Sequence, residues 1–373
     1  MNLEFLRPLI DRPGPWASVY LDASRSDENA AHEIDLRWRA LRAKLAEQGC
    51  DEATIEAIDA AIQTHPYQPG RYGLAVFAQS GEVAAVETLP APPQPDEAHV
   101  GPVPHLMPLL AHRDEQIPYV RVLADRTGAD LSAVSAGGVP RRRTVTGDET
   151  FPIRKVRVGG WSHRHYQQAV EETWKRNAGD VAAAAADLAD VVDAEVVVVG
   201  GDVRAVQGFT DRLPKRWRSK VVSTDAGSRH ARDDEALDDI TTQAIAETAE
   251  RHVQDTLDRY RAQLADGTAS TGLTDVVNRL QRGQVDTVLL VNDPSSTDKL
   301  WIDPADPTVV SVDDHVLREA GVQDPQRVRA DAALVRAMVG TGARLVLIGP
   351  DEAPLEHGIG AVLRYADADT AAT

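Results

Sequence analysis

The chain has 373 residues, 42% of them hydrophobic, and a formal net charge of −18. That length exceeds one ordinary core of roughly 100–150 residues, and the hydrophobic share argues against wholesale disorder, so two or three domains are expected. The acidity argues against broad, non-specific nucleic-acid binding, which rests on cationic surface. Cys50 is the only cysteine, so neither an internal disulfide nor a Cys-based zinc site can form. The first residues lack the basic-then-apolar pattern of a secretory leader, and no apolar run approaches the roughly 18 residues a membrane helix needs. A cytoplasmic protein without a membrane partner is the expectation.

In chain order, residues 16–21 read as a strand. Residues 28–48 read as a helix, because Ile34, Trp38, Leu41 and Leu45 recur on one face. Arg37, Arg39, Arg42 and Lys44 lie largely off that face. Residues 71–78 and 82–88, separated by Gln-Ser-Gly, read as a β-hairpin. Seven of the 22 prolines fall between Pro90 and Pro108. Proline lacks a backbone donor and fixes φ, so this passage reads as linker or irregular edge, with the first domain boundary at its end.

The next unit opens with a strand at 119–124, a turn at 125–128 and a return strand at 131–134. Tyr166, Ala169, Val170, Thr173 and Trp174 mark a helix face, and the alanine-rich stretch 181–191 continues it. A buried strand at 195–199 ends in Gly200-Gly201 and leads into a helix at 203–213, the rhythm of an α/β layer. The full dinucleotide-binding pattern is missing, so the glycines read as a tight strand-to-helix turn. Residues 233–264 are acidic and helical in pattern and bridge to a third unit. There Leu273, Val276, Val277 and Leu280 line a helix face, Gly283 ends the helix, and 285–291 is an apolar strand. Residues 330–339 and 344–348 repeat helix, glycine, strand. The small, polar tail 366–373 is expected to fray.

Charge is unevenly spread. Residues 137–178 hold Arg141, Arg142, Arg143, Arg154, Lys155, Arg157, Arg164, Lys175 and Arg176 against four acids. A locally basic segment on an acidic protein can touch RNA at one place, or can simply be a solvated arginine-rich surface. Within it, Gly159-Gly160-Trp161-Ser162 follows the basic run and precedes an amphipathic helix. Glycines permit a tight loop tip, Ser162 is a candidate helix N-cap, and an aromatic among arginines can stack on an unpaired base. The residues alone leave a second reading open, a β-turn whose indole folds back on its own domain. His163 and His165 are two apart, not the helical ligand spacing, and no carboxylate cluster completes a metal set. No serine-hydrolase elbow and no cofactor motif occurs.

These motifs resemble the archaeo-eukaryotic peptide-chain release factors and their relative Pelota. The basic run, the glycine pair and the following aromatic-basic helix match the segment that in the release factors reads Gly-Gly-Gln-Ser. The hairpin 122–134, the strand 195–202, the segment 272–291 and the signature 358–365 follow in family order. The N-terminal third matches poorly, and the stop-codon-reading Asn-Ile-Lys-Ser is absent. The resemblance implies three α/β domains, 1–115, 116–248 and 249–373, in an elongated, tRNA-mimicking arrangement. It implies a 70S ribosome as partner, with elongation factor Tu or another translational GTPase at the C-terminal domain. Ribosomal RNA contacts are then expected from Arg141, Arg142, Arg143, Arg154, Lys155, Arg157, Gly159, Gly160, Trp161, Ser162, His163 and Arg164. A decoding-site face is expected from Arg25, Ser26, Asn29, Arg37 and Arg39. Trp161 stands where the release factors place their catalytic glutamine. An indole donates one hydrogen bond and accepts none, so it cannot position water as the amide does. No catalytic residue is therefore assigned. The chain resembles ribosome-hibernation factors of the Balon type; a Pelota-like rescue factor and an enzyme acting on tRNA are the alternatives.

Overall fold

The computed structural model of the chain describes residues 1–25, 30–66, 70–113, 116–136, 140–147, 161–227, 235–293, 296 and 298–365, with backbone alone for 161–170. The architecture is mixed α/β, with four sheets among the described residues. Two compact units form, one from residues 1–114 with 255–373 and one from residues 115–254.

The N-terminal sheet has strand order β3-β2-β1-β4, from β1 (Trp16–Asp22), β2 (Gly73–Gln79), β3 (Glu82–Leu89) and β4 (Glu97–Gly101). All its pairings are antiparallel. Helices α1 (Ala30–Glu47) and α2 (Glu52–Thr64) cover one face. Ile34, Trp38, Leu41 and Leu45 pack there with Ala17, Val19 and Leu21, as their spacing predicts. The β2–β3 turn is Ser80-Gly81, both at positive φ (51° and 77°), the geometry that matches strand twist in a two-residue hairpin. Of the two readings of the proline-rich passage, linker or irregular edge, the residues of β4 follow the second. Strand β4 lies within the passage and pairs with β1 at the sheet edge, where a strand flanked by prolines is tolerated.

The second unit carries a five-stranded sheet of order β7-β6-β5-β8-β9. Its strands are β5 (Tyr119–Asp125), β6 (Gly128–Val134), β7 (Pro140–Thr146), β8 (Val196–Gly201) and β9 (Val221–Ser223). A single 32-residue helix, α3 (Trp161–Val192), packs its alanine-rich C-terminal half over β5 and β6. Small side chains let the helix sit close to the sheet. Helix α4 (Val203–Arg212) follows β8. A Cβ on Gly201 would fall 2.0 Å from the Ala124 carbonyl oxygen, so the glycine pair serves backbone packing between β8 and β5. After β9 the long helix α5 (Glu235–Ala265) runs across the division between the units.

The C-terminal residues supply β10 (Ser270–Thr271), β11 (Val285–Val291), β12 (Lys299–Ile302), β13 (Val310–Ser311), β14 (Gln326–Arg329), β15 (Arg344–Ile348) and β16 (Ile359–Leu363). They form a sheet of order β10-β16-β11-β15 and a small one of order β13-β12-β14. Helices α6 (Leu273–Gln281) and α7 (Ala330–Thr341) pack with them. Trp16, Tyr20, Ala75 and Phe77, on the second face of the N-terminal sheet, share one hydrophobic core with Val276, Leu280, Leu334 and Met338. Strand β1 is thus buried on both faces. At this joint His105 is 6% exposed and lies 4.0 Å from the Asp331 carboxylate and 3.8 Å from that of Glu97.

Candidate nucleic-acid interface

Strand β7 is the sheet edge, exposed at all but one position. Edge strands rich in cations resist pairing with another chain, which is a structural reason for arginine here. Register sorts the three arginines. Arg141 and Arg143 oppose Ala133 and Leu131, whose side chains are buried under α3, so they share the helix-bearing face. Arg142 opposes Ser132 and belongs to the other face. Arg143 lies 3.8 Å from Asp187 of α3, both side chains more than half exposed. The three arginines therefore straddle the edge and do not make one flat patch.

Helix α3 is pinned where the β5–β6 turn reaches it. Asn177 Nδ2 donates to the Arg126 carbonyl at 3.0 Å, and its amide packs so closely on Gly147 that a Cβ there would lie 2.3 Å from it. From Asn177 the helix continues sixteen residues to Trp161, about 24 Å at the usual helical rise. The helix begins at Trp161 itself, so Ser162 is its second residue and not the N-cap that the sequence suggests. His163 and Arg164 follow in the first turn. The side chains of Trp161, Ser162, His163 and Arg164 are outside the described set. Arg154, Lys155, Arg157, Gly159 and Gly160 lie outside the described residues. Asp187, beside Arg143, is twenty-six residues along α3 from Trp161, about 39 Å. The basic strand and the head of the helix are therefore separate places.

A cleft of about 500 Å³ opens between α3 and α4, lined by Arg126, Trp174, Lys175, Arg204, Phe209 and Arg212 among others. The Arg126 guanidinium stacks 4.6 Å from the Trp174 ring centroid and pairs with Asp202 at 3.1 Å. Asp202 caps α4, accepting from the backbone N–H groups of Arg204 and Ala205. Partial burial raises the Asp202 carboxyl, but the Arg126 hydrogen bond, those two N–H groups and the Arg126 charge together hold its pKa below the usual value. The Trp174 indole N–H is buried and has no hydrogen-bond partner among the described residues. Trp174 shows in the sequence as a helix-face residue; its pairing with Arg126, from the turn of a hairpin 48 positions upstream, does not.

The N-terminal set is electrostatically quieter. Arg37 is held by Glu33 at 3.0 Å, Asp22 at 3.8 Å and Asp96 at 4.0 Å. Arg39 pairs with Asp35 at 2.6 Å. Arg25 bridges Gly70 through its backbone. Ser26 and Asn29 lie outside the described residues. Among the described residues no cluster of three or more metal-ligating side chains occurs, and no helix is long and apolar enough to cross a membrane.

A sequence model of the bacterial archaeo-eukaryotic release factor family 2 matches residues 118–266. The uncharacterized protein Rv2629 of Mycobacterium tuberculosis is 30% identical over 370 residues, covering 98% of this chain and 97% of its own. Among solved structures, a ribosome-bound archaeal Pelota with ABCE1 is 13% identical, covers 98% of this chain and 94% of its own, and has a TM-score of 0.41. The archaeal translation termination factor aRF1 is 15% identical over 97% of each chain, with a TM-score of 0.28. These two superpositions are loose, and no residue role is carried across from them.

Proposed function

Because the chain belongs to the bacterial archaeo-eukaryotic release factor family, we propose that it is a ribosome-binding translation factor that enters a vacant A site and keeps the ribosome idle, without hydrolysing peptidyl-tRNA. Position 161 carries this reading. The family's glutamine is replaced by tryptophan at the first residue of a helix 32 residues long. A helix of that length, about 48 Å, can carry its head far from the sheet that anchors its other half. In this reading the residue at the head is an indole, which can stack on an unpaired base and cannot orient a water for ester attack as an amide does. Elongation factor Tu, or another translational GTPase, is the proposed delivery partner, as in hibernation factors of the Balon type.

The test uses purified protein and 70S ribosomes. Co-sedimentation with vacant ribosomes, background release of labelled peptide from programmed ribosomes, and no splitting of subunits when an energy source is added are the expected results. Robust peptide release would overturn the non-hydrolytic reading. Energy-dependent subunit splitting would replace hibernation with rescue.

A further inference from the structure

The residues 212–220 hold five cations, Arg212, Lys215, Arg216, Arg218 and Lys220, and no acid, on a chain whose net charge is −18. All five are exposed, around a buried Trp217 that fixes the turn to the core below it. Among the described residues some arginines are matched by carboxylates, as Arg37, Arg39 and Arg329 are, and others by backbone carbonyls, as Arg336 and Arg364 are. Here the partners are mostly neutral. Arg212 donates to the Gly208 carbonyl at 3.0 Å, Arg218 to the carbonyls of Leu213 at 2.7 Å and Asp211, and Lys220 to that of Ala194 at 3.2 Å. Lys220 also sits 4.9 Å from the Trp217 ring centroid. Lys215 makes no hydrogen bond or ion pair with any described residue, and Arg216 alone is matched, by Asp190 at 2.6 Å. A carbonyl orients a cation without cancelling its charge, so the corner is ordered and stays net positive even with Asp190 on Arg216 and Asp211 beside Arg212.

Its place in the sheet adds a second observation. Lys220 immediately precedes β9. The register runs Arg141 to Ala133, Ala133 to Val120, Val120 to Val197, and Val197 to Val221. Arg141 and the corner therefore lie at the same end of one sheet, on its two opposite edges. Four interstrand steps separate them, about 19 Å.

We propose that this corner is a second phosphate-binding surface, which with the Arg141 edge grips the sugar–phosphate backbone of RNA at two points. The identification of that RNA as ribosomal rests on the ribosome-binding reading above; the binding of phosphate does not. The competing explanation is that the cations only cap helix α4, whose last carbonyls Arg212 and Arg218 do satisfy. That accounts for two of the five and leaves Lys215, Arg216 and Lys220 without a capping role.

The experiment leaves the two capping arginines in place. A triple variant, Lys215→Glu, Arg216→Gln and Lys220→Gln, is compared with wild type for binding a fluorescein-labelled oligouridylate across a salt series. With Arg216 already paired to Asp190, losing the Lys215 and Lys220 contacts should flatten the slope of log affinity against log salt by about 1.4 units. Lys215→Glu alone, at a site without contacts to lose, should flatten it by about 0.7 and guards against misfolding of the triple variant. Asp190→Asn, which unmasks Arg216, should steepen the slope. An unchanged slope in folded variants overturns the proposal and leaves helix capping. Binding to phosphatidylserine vesicles but not to oligouridylate overturns it in favour of a membrane surface. If wild type binds oligouridylate through the corner yet does not pellet with 70S ribosomes, the phosphate surface stands and the ribosome reading falls. If wild type pellets and the corner variants bind oligouridylate as it does, this inference alone falls.

Discussion

Replacing His105 by phenylalanine should remove a specific part of the protein's acid sensitivity. The imidazole is 6% exposed and sits among Tyr20, Glu97, His99 and Asp331, where the N-terminal and C-terminal residues share a core. Burial lowers its pKa first of all. The Asp331 carboxylate pulls it upward, and the Arg329 and His99 charges push it down again. The net result is a fall from 6.5 to about 4. An unfolded chain binds this proton near pH 6.5, whereas the native site refuses it until about pH 4. Stability from the neutral imidazole is therefore complete above the unfolded pKa and is lost as pH falls through that window. A shift of this size corresponds to about 3 kcal/mol. Urea denaturation of both proteins across the window reads it. Wild type should lose about 3 kcal/mol more than His105→Phe, the protonation of carboxylates being common to both. Parallel losses would show that the imidazole is not desolvated in the native protein, and the shared core at this joint would need to be redrawn.

Three further outcomes are expected. Trp161→Ala should leave the melting temperature nearly unchanged and weaken 70S binding by about 5- to 150-fold, the equivalent of roughly 1–3 kcal/mol of base stacking. A core role would instead cost about 3–5 kcal/mol of fold stability, seen as a large drop in melting temperature. Reversing Arg141, Arg142 and Arg143 to glutamate should flatten the salt dependence of ribosome co-sedimentation by up to about one unit per phosphate contact. The contribution of Arg143 is expected to be the smallest, because Asp187 already faces it. Trp161→Gln, which installs the glutamine that the release factors carry at this point of the motif, should raise release of labelled peptide above the wild-type background; unchanged release would show that position 161 alone does not withhold the chemistry.

Much of the local structure was legible in the sequence because periodicity reports which face of an element is buried. Ile34, Trp38, Leu41 and Leu45 recur at helical spacing, and all four are in the core. The helix and strand at 330–348 likewise follow from their apolar patterns. At position 161 the residue alone says what it can offer a hydrogen-bond partner, since an indole lacks the acceptor of an amide. Periodicity does not say what covers a buried face. Only the tertiary structure shows that Trp16 and Tyr20 meet helices from the far end of the chain, because that packing joins residues about three hundred positions apart. Proline content suggested a linker or an irregular edge, but not that β1 would take β4 as its neighbour, a pairing that no local signal encodes. Counting cations between 137 and 178 placed Arg143 and Trp161 together, yet a continuous helix sets them about 39 Å apart, because helical rise, and not sequence distance, decides how far a segment reaches. Sheet register, in turn, brings Arg141 level with the basic corner around Lys220, since strand order is set by which edges can still pair and not by position in the chain.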